Sequence, residues 1–295
     1  KNSDELAKWI GAKLVKSDWR PVKLHQGVYF DGKVMFEEGD SFEVEGEEPA
    51  EVLIAEMTAK NGKQALVFAS SRRNAESIAE KCSAVVKKIL SEHEVAELAK
   101  ISEDIRHALD SPTPQCTRLA DCVLAGTAFH HAGLVSRQRH LVEHAFRNKL
   151  IKTIAATPTL AAGVDLPAFR VLIRDTRRYS AGAGYTFIPT LEYQQMAGRA
   201  GRPRWDKEGQ SILFAHSERE AKELYNRFVL GEPEEITSKL AVEPVLRMHV
   251  LALIASEVVS SESELLDFFK STFWGLQYGN APALKKELDS VLELL

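Results

Sequence analysis

The sequence predicts an α/β protein with a mostly parallel sheet and helices on both faces, followed by a small α-helical domain. Short apolar runs, typical of buried parallel strands, alternate with longer amphipathic segments as far as residue 230. Beyond Gly231-Glu232-Pro233 only helical patterns remain. The 295 residues, of which 44% are hydrophobic, are enough for one large core or two modest ones.

The predicted elements follow in order along the chain. Residues 3–14 form an amphipathic helix, and residues 25–48 form a hairpin whose turn is Asp31-Gly32. The other elements before residue 231 are strand 64–69, helices within 74–109, helix 137–150, strand 151–156, a short helix closed by Gly163, strand 169–173, a helix from Thr190, strand 210–215 and helix 218–230. Apolar residues at helical spacing then continue to Leu295.

Two arginines stand in the glycine-rich segment 194–204. Arg199 and Arg202 are three residues apart at the end of a predicted helix, which would place both guanidinium groups on one face. Guanidinium binds phosphate oxygens in pairs and keeps its charge, so this pair suits a polyphosphate. Taken alone, the segment is equally consistent with a solvated turn.

A threonine-rich turn, Thr157-Pro158-Thr159, follows the predicted strand 151–156 and leads into the short helix. Pro158 suits the first position of a helix. A strand, a turn at its carboxyl end and a short helix are the arrangement with which α/β folds contact ligands. The sequence therefore predicts a second ligand-binding segment here.

Four segments, in this order, resemble motifs of superfamily 2 helicases. They are ALVFASSRRNAESIA (65–79), AFHHAGL (128–134), ATPTLAAGVDLPA (156–168) and QMAGRAGRP (195–203). Their combination is similar to the archaeal Hjm-type DNA repair helicases, relatives of the helicase portion of DNA polymerase theta. This resemblance implies a second RecA-like domain, of the P-loop NTPase fold, over residues 25–232. It also implies a partial winged-helix domain over 233–295 and the tail of a first RecA-like domain, with its linker, over 1–24.

Two motifs of an ATPase do not occur in the chain. No G-x-x-x-x-G-K-[ST] loop is present to hold phosphates, and no apolar strand ends in Asp-Glu to hold Mg²⁺. The resembled family keeps both in its first RecA-like domain, which binds most of the ATP and Mg²⁺. We therefore expect this chain to be a fragment that is inactive alone and needs the first RecA-like domain of the same polypeptide.

The resemblance also implies roles at the nucleotide. Gln195 would orient the γ-phosphate or the attacking water, and Arg199 and Arg202 would be arginine fingers. Gly163 and Asp165 would approach the nucleotide, although the family more often has Asn at position 165. An ionised carboxylate beside a triphosphate is unfavourable without a metal or an arginine.

Residues at predicted strand ends are expected to contact nucleic-acid phosphates through hydroxyl, N–H or guanidinium groups. They are Ser70, Ser71, Arg72, His131, Thr157 and Thr159. For His131, ordinary packing is the alternative. Contacts of this kind make binding independent of base sequence and dependent on salt.

Residues 174–193 have alternating flanks around a glycine-rich tip, which predicts a β-hairpin. In the resembled family, a hairpin at this position is the wedge that splits the duplex. The side chains expected to stack on the terminal base pair or to hold displaced phosphates are Arg177, Arg178, Tyr179, Tyr185 and Phe187. The alternative is a surface hairpin whose aromatic rings pack on the domain below.

Composition limits the remaining choices. The net charge of −4 argues against a generally basic nucleic-acid coat, although local basic clusters adjoin the motifs. The three cysteines have no metal-ligand spacing, so no metal site is expected in the chain itself. No apolar run reaches membrane-spanning length and no signal peptide is present, which predicts a cytoplasmic protein without a membrane partner.

The sequence thus predicts the C-terminal motor domain of an ATP-dependent DNA helicase, expected to be monomeric. By resemblance it would move 3′ to 5′ on single-stranded DNA and unwind branched or duplex DNA in replication-fork repair or recombination. An RNA helicase of the exosome-associated type is one alternative. A nucleic-acid-binding module without ATP chemistry is another, and the arginine pair argues against it.

Overall fold

The computed structural model describes residues 2–17, 19–180, 184–278 and 280–295. It divides into two compact units. Trp19–Pro233 form an α/β unit, and Glu234–Leu295 form a helical unit together with the described residues before position 18. Each unit has its own core.

Among its described residues, the α/β unit contains ten strands. They are β1 (Lys23–Phe30), β2 (Lys33–Phe36), β3 (Ser41–Glu43), β4 (Ala65–Phe68), β5 (Thr127–His130), β6 (Thr153–Ala156), β7 (Arg170–Ile173), β8 (Arg177–Ser180), β9 (Gly184–Phe187) and β10 (Glu208–Phe214). Eight of them form one sheet in the order β3-β2-β1-β10-β7-β4-β6-β5, and β8 and β9 form a separate antiparallel pair. From β1 to β5 in that order, neighbouring strands are parallel, whereas β2 and β3 are antiparallel.

Helices connect most of these strands. In chain order they are α1 (Ser3–Trp9), α2 (Ala50–Lys60), α3 (Arg72–Val86), α4 (Glu92–Arg106), α5 (Pro114–Leu124), α6 (Ser136–Arg147), α7 (Thr159–Gly163), α8 (Thr190–Ala197), α9 (Glu218–Leu224), α10 (Glu243–Ala255), α11 (Glu262–Ser271), α12 (Phe273–Tyr278) and α13 (Ala281–Leu292). In the described part of the chain, every helix is too short or too polar to cross a bilayer.

The central strands confirm the predicted fold class. Every residue of β4, β5, β6 and β7 is buried, as expected for parallel strands with helices on both faces. The core of the unit is continuous from this sheet to the helices packed on it. The mostly parallel α/β architecture predicted from alternating apolar runs is therefore present.

The predicted hairpin turn is also present. Asp31 and Gly32 have φ angles of +47° and +74°, as a two-residue turn between antiparallel strands requires. The first strand, however, begins at Lys23, inside the predicted linker 1–24, because Lys23 pairs with Glu208 of β10 in the parallel ladder. The linker therefore ends earlier than predicted.

The helical unit consists of α1 and α10–α13. Its core contains Leu246, Val250, Val259, Leu265, Phe269, Trp274, Leu284, Leu288 and Val291. The ring of Trp9 lies 5.3 Å from that of Phe273, and its indole N–H donates to the carbonyl of Ser271 at 2.8 Å. Helix α1 ends earlier than predicted, and Gly11 after it has a φ of +67°. The assignment of residues 1–24 to the tail of a first RecA-like domain, and of residues 233–295 to a partial winged-helix domain, stays a prediction.

Candidate functional site

The candidate residues of the α/β unit lie at two opposite edges of the parallel sheet. Arg199 and Arg202 precede β10, and residues 199–201 pair with Ala168 just before β7, so both arginines lie at the amino ends of the strands. Ser70 and Ser71 follow β4, and Thr157 follows β6, so these lie at the carboxyl ends. We call these regions the amino edge and the carboxyl edge.

Arg202 is buried at the amino edge, with 6% of its surface exposed. Its Nε and Nη2 donate to the two carboxylate oxygens of Asp206 at 2.7 and 3.0 Å, and its backbone N–H donates to the same carboxylate at 3.1 Å. The Asp206 N–H donates to the carbonyl of Arg202, which forms a single helical turn. That turn brings the two side chains onto one side.

Two further side chains complete this cluster. Gln64 accepts a hydrogen bond from Nη1 of Arg202 at 2.9 Å and donates its own amide to the carbonyls of Phe146 and Ile151. Lys63 donates to Asp206 at 2.7 Å. Burial of Asp206 opposes ionisation, but the hydrogen bonds from Arg202 and Lys63 outweigh it and lower the pKa of that carboxyl. The carboxylate is therefore ionised at neutral pH.

Arg199 makes different contacts. Its Nε and Nη2 donate to the carbonyl of Ala161 in α7, and its Nη1 donates to Asp165 at 3.2 Å. The prediction that Arg199 and Arg202 share one helix face is wrong, because α8 ends at Ala197 and both arginines lie beyond it. Asp165, whose side chain is 90% exposed, contacts Arg199 instead of standing alone, which gives its charge an arginine partner.

The glycines of this segment differ in their role. Gly201 has a φ of +90°, and a Cβ there would lie 2.5 Å from a methyl carbon of Val22, so the residue is needed for backbone packing. Arg20 binds the same stretch by donating to the carbonyl of Ala200 at 2.7 Å. Gly163 is exposed with open space around it, and the predicted Gln195 is exposed as well.

The amino edge has donors available for an anion. A cavity of about 470 Å³ is lined by Gln64, Phe146, Arg147, Lys149, Asp165, Leu166, Pro167, Arg202, Pro203, Arg204 and Trp205. Of the five N–H donors of an arginine side chain, the bonds to Asp206 and Gln64 use three in Arg202. The other two have no partner among the described residues. Such donors, with cationic side chains nearby, can bind an anion that has several oxygen atoms.

The carboxyl edge presents short polar groups. Ser71 caps α3 by accepting from the N–H of Asn74, and Ser70 donates to Asp175 through both its N–H and its hydroxyl at 2.8 Å. The hydroxyls of Thr157 and Thr159 lie 2.9 Å apart. Arg72 is exposed. These groups lie at the edge where the resemblance predicts phosphate contacts.

His131 does not fit its predicted role as a nucleic-acid contact. Its side chain is completely buried, donates through Nε2 to Glu76 and accepts the Gly133 N–H at Nδ1. Burial lowers the pKa of His131 in spite of the Glu76 carboxylate, so the ring is neutral. The same Glu76 binds Arg118. His131 therefore stabilises the turn at residues 131–133, next to Arg72. The alternative of ordinary packing is correct for this residue.

The predicted hairpin is formed by β8 and β9, and residues 181–183 of its predicted tip lie outside the described residues. Tyr179 and Tyr185 face each other across the strands, with ring centroids 6.1 Å apart, and are 70% and 75% exposed. Phe187 instead packs against the buried Phe228 and lies below the guanidinium of Arg177, which corrects its predicted role in base stacking.

Ion pairs hold the two arginines of the hairpin. Arg178 donates twice to Glu192, at 2.8 and 3.0 Å. Arg177 lies 3.7 Å from Glu223. Both side chains remain partly exposed. A displaced phosphate would therefore compete with a carboxylate at each arginine.

Sequence reasoning did not identify several residues of these edges. They are Arg20, Lys63, Gln64, Glu76, Asp175 and Asp206. For Asp206 a signal was present, since an acid four residues after Arg202 matches the spacing of a helical turn. The others act through the tertiary fold, which no local pattern specifies.

Comparisons with known proteins show which proteins the chain is similar to. Residues 115–204 match the helicase conserved C-terminal domain. The chain is 44% identical over 297 aligned residues to the ATP-dependent DNA helicase Hel308 of Methanocella arvoryzae, a match that covers all of this chain and 39% of that protein.

Other relatives give the same result. The ATP-dependent DNA helicases Hel308 of Pyrococcus horikoshii and Pyrobaculum calidifontis are 42% and 41% identical to the whole chain, which covers 40% and 42% of them. The chain therefore spans about two fifths of the length of these curated relatives.

Proposed function

Because the chain belongs to the superfamily 2 helicase family of these Hel308 proteins, we propose that it is the second motor domain of an ATP-dependent DNA helicase. The observation that carries the proposal is the separation of its polar groups. Guanidinium donors lie beside a cavity at the amino edge, and hydroxyl and N–H groups lie at the carboxyl edge. One edge suits a triphosphate and the other a sugar-phosphate backbone.

At the amino edge, Arg199 and Arg202 act as arginine fingers toward ATP held mainly by a first RecA-like domain of the full-length protein. Bound ATP would supply the phosphoryl group, and Mg²⁺ would neutralise charge on its phosphates. Arg202 neutralises charge that develops on the transferred phosphoryl group, an effect on the order of 10³–10⁵ in rate. Gln195, which is exposed at the end of α8, orients the attacking water or the γ-phosphate. Gly163 gives the nucleotide room to approach the backbone.

At the carboxyl edge, Ser70, Ser71, Arg72, Thr157 and Thr159 contact the phosphates of single-stranded DNA. Hydroxyl and backbone donors fix the strand without reading its bases. The Tyr179–Tyr185 pair of the β8–β9 hairpin stacks on the terminal base pair of a duplex, with Arg177 and Arg178 nearby. Opening and closing of the nucleotide site moves the domain along one strand, 3′ to 5′, and serves repair at branched DNA.

Two variants of the full-length protein test this division. Arg199→Ala is expected to lower the kcat of DNA-stimulated ATP hydrolysis by about 10³-fold and to leave the Kd for single-stranded DNA unchanged. Arg72→Ala is expected to weaken DNA binding and to keep kcat at saturating DNA. If both variants lost the same property, the two edges would not have separate functions.

The RNA helicase alternative makes a different prediction. The named relatives are DNA helicases, which favours DNA, so length-matched DNA should stimulate ATP hydrolysis more than RNA. Equal or greater stimulation by RNA would favour the alternative. A non-catalytic module would leave hydrolysis unaffected in Arg199→Ala.

A further inference from the structure

We propose that Asp206, supported by Gln64 and Lys63, is a positioning residue that fixes the guanidinium of Arg202 toward the transferred phosphoryl group. The inference rests on the proposed function of Arg202 and adds to it three residues outside the catalytic pair. Asp206, Gln64 and Lys63 are called the Arg202 clamp.

The geometry of the clamp leaves Arg202 little freedom. Asp206 receives three hydrogen bonds from Arg202 and one from Lys63, and its side chain is 1% exposed. Gln64 is itself fixed, because its amide donates to the carbonyls of Phe146 and Ile151 and so turns its oxygen toward Arg202. The guanidinium group is thus hydrogen-bonded on two sides, by Asp206 and by Gln64, and each of these acceptors has further hydrogen bonds of its own.

This restraint has a catalytic consequence. A free arginine side chain loses considerable rotational freedom when it binds a phosphate. Donors that are already fixed where charge develops need no reorganisation during the reaction, which is the main source of electrostatic catalysis. The two N–H donors of Arg202 left by the clamp are the ones that remain for phosphoryl oxygens.

Lys63 offsets the negative charge of Asp206. A carboxylate beside Arg202 offsets its positive charge, which would weaken attraction to a polyphosphate. Lys63 lies 2.7 Å from the same carboxylate, so the three charged groups keep a net charge of +1 (two cations and one anion). Arg202 thus gains a fixed orientation while the site stays positive.

The test uses the full-length protein and a double-mutant cycle. Asp206→Asn keeps the shape of the side chain and removes its charge. We expect it to lower the kcat of DNA-stimulated ATP hydrolysis by on the order of tenfold to a hundredfold, the range of one charge-assisted hydrogen bond, with little change in KM. In Arg202→Ala, which has no guanidinium to position, the same substitution should cause no further loss of kcat.

A matched control removes an exposed Asp–Arg ion pair elsewhere in the same unit. Asp121, in helix α5, pairs with Arg106 at 3.0 Å, and neither residue belongs to the Arg202 clamp or lines the cavity beside Arg202. Asp121→Asn should leave kcat unchanged. A loss as large as that of Asp206→Asn would mean that the assay reports general damage, which would overturn the inference.

A second readout does not depend on activity. In the nitrogen-15 spectrum of the arginine side chains of this 295-residue chain, the Arg202 Nε–H should exchange slowly with water, because Asp206 accepts it in a buried pair. Asp206→Asn should make that exchange fast. If Asp206→Asn fails to fold, Gln64→Met, which removes the acceptor of Nη1, should lower kcat by a smaller factor with KM unchanged.

The results separate this inference from the proposed function. If Arg202→Ala keeps its kcat, the finger assignment fails. If Arg202→Ala loses kcat but Asp206→Asn and Gln64→Met do not, the finger stands and the positioning role is wrong. Additive losses in the double variant would also overturn the positioning role, because they would mean that Asp206 acts independently of Arg202.

Discussion

The two edges of the parallel sheet present their polar side chains in opposite ways. At the amino edge, Arg202 and Arg170 are buried, and each donates to at least one acceptor from a distant part of the chain, Gln64 and Gln210 respectively. At the carboxyl edge, Ser71 and Arg72 are exposed, and the contacts of Ser71 are local. A group that stabilises a transition state must be fixed in advance, whereas a group that follows a moving strand must release each phosphate in turn. The difference in burial is consistent with the different functions that we propose for the two edges.

The largest expected effect is a loss of duplex unwinding when the β8–β9 hairpin is shortened and both edges are left intact. Replacing residues 180–186 with a short Gly-Ser turn in the full-length protein should abolish duplex unwinding, because Tyr185 is removed and Tyr179 loses its partner. ATP hydrolysis stimulated by single-stranded DNA should persist, since neither edge is altered. Strand-displacement and phosphate-release assays measure the two activities. Tyr179→Phe/Tyr185→Phe, which keeps both rings, is the control, and unwinding at the parental rate in the Gly-Ser variant would exclude a wedge.

The second effect concerns the stability of the amino edge. Arg170 is buried and stacks on Phe42, and its pKa is lowered to about 10 by burial. It donates to Gln210 and Thr58, and no carboxylate pairs with it among the described residues. Arg170→Ala should lower the free energy of unfolding by about 2–4 kcal/mol, because it leaves a cavity and unpaired acceptors.

Arg170→Met is the matched variant, since it fills the space without a buried charge. Its free energy of unfolding should lie within about 1.5 kcal/mol of the parent. Urea unfolding of the 295-residue chain measures both values. Equal losses in the two variants would mean that the charge of Arg170, and not its volume, stabilises this edge.

A smaller effect distinguishes the charges of the two edges. Arg72→Ala should reduce the slope of log Kd against log salt for single-stranded DNA by about 0.7, the value for one phosphate contact. Lys60→Ala removes one exposed charge at the end of α2, just before β4 and so at the amino edge. It should leave the slope unchanged. Fluorescence-anisotropy titrations at several salt concentrations measure both slopes. Equal slopes for the two variants would mean that Arg72 does not contact a DNA phosphate.

The smallest effect is a dependence of stability on pH behind the carboxyl edge. Burial lowers the pKa of both His130 and His131 below the value of about 6.5 expected in the unfolded chain. The unfolded state therefore binds more protons, and stability rises with pH in that window. The contribution of the two neutral histidines to the free energy of unfolding is complete above about pH 6.5. It is lost as the pH falls through the lower pKa values that these histidines have in the folded protein.

Urea midpoints at pH 7 and pH 5 test this expectation. The midpoint should be lower at pH 5, and His131→Gln should reduce the difference. The exposed His140→Gln serves as the control and should keep it. An unchanged pH dependence in His131→Gln would mean that other groups cause it.

Local features of the fold could be predicted from the sequence because their causes are local. The cap of α3 follows from the ability of the Ser71 hydroxyl to accept an N–H at a helix start, and the turn at Asp31-Gly32 follows from the left-handed angles that these residues tolerate. The surroundings of Arg202 could not be predicted, because Gln64 and Lys63 lie 138 residues before Arg202 and 143 residues before Asp206 respectively. Motif resemblance names an arginine, but it does not say which side chains hold it.

The short helix α7 joins the two edges within one stretch of backbone. It begins at Thr159 beside the carboxyl edge, and the carbonyl of Ala161 in its middle accepts Arg199 from the amino edge. Five helical residues span about 7.5 Å, so Thr159 lies within two residues of the carbonyl that accepts Arg199. Under the proposed function, a phosphate bound at Thr159 would act on the same short helix that anchors Arg199. By thermodynamic linkage such a coupling is reciprocal. If a bound DNA strand changed the affinity for nucleotide through α7, a bound nucleotide would change the affinity for the strand by the same factor.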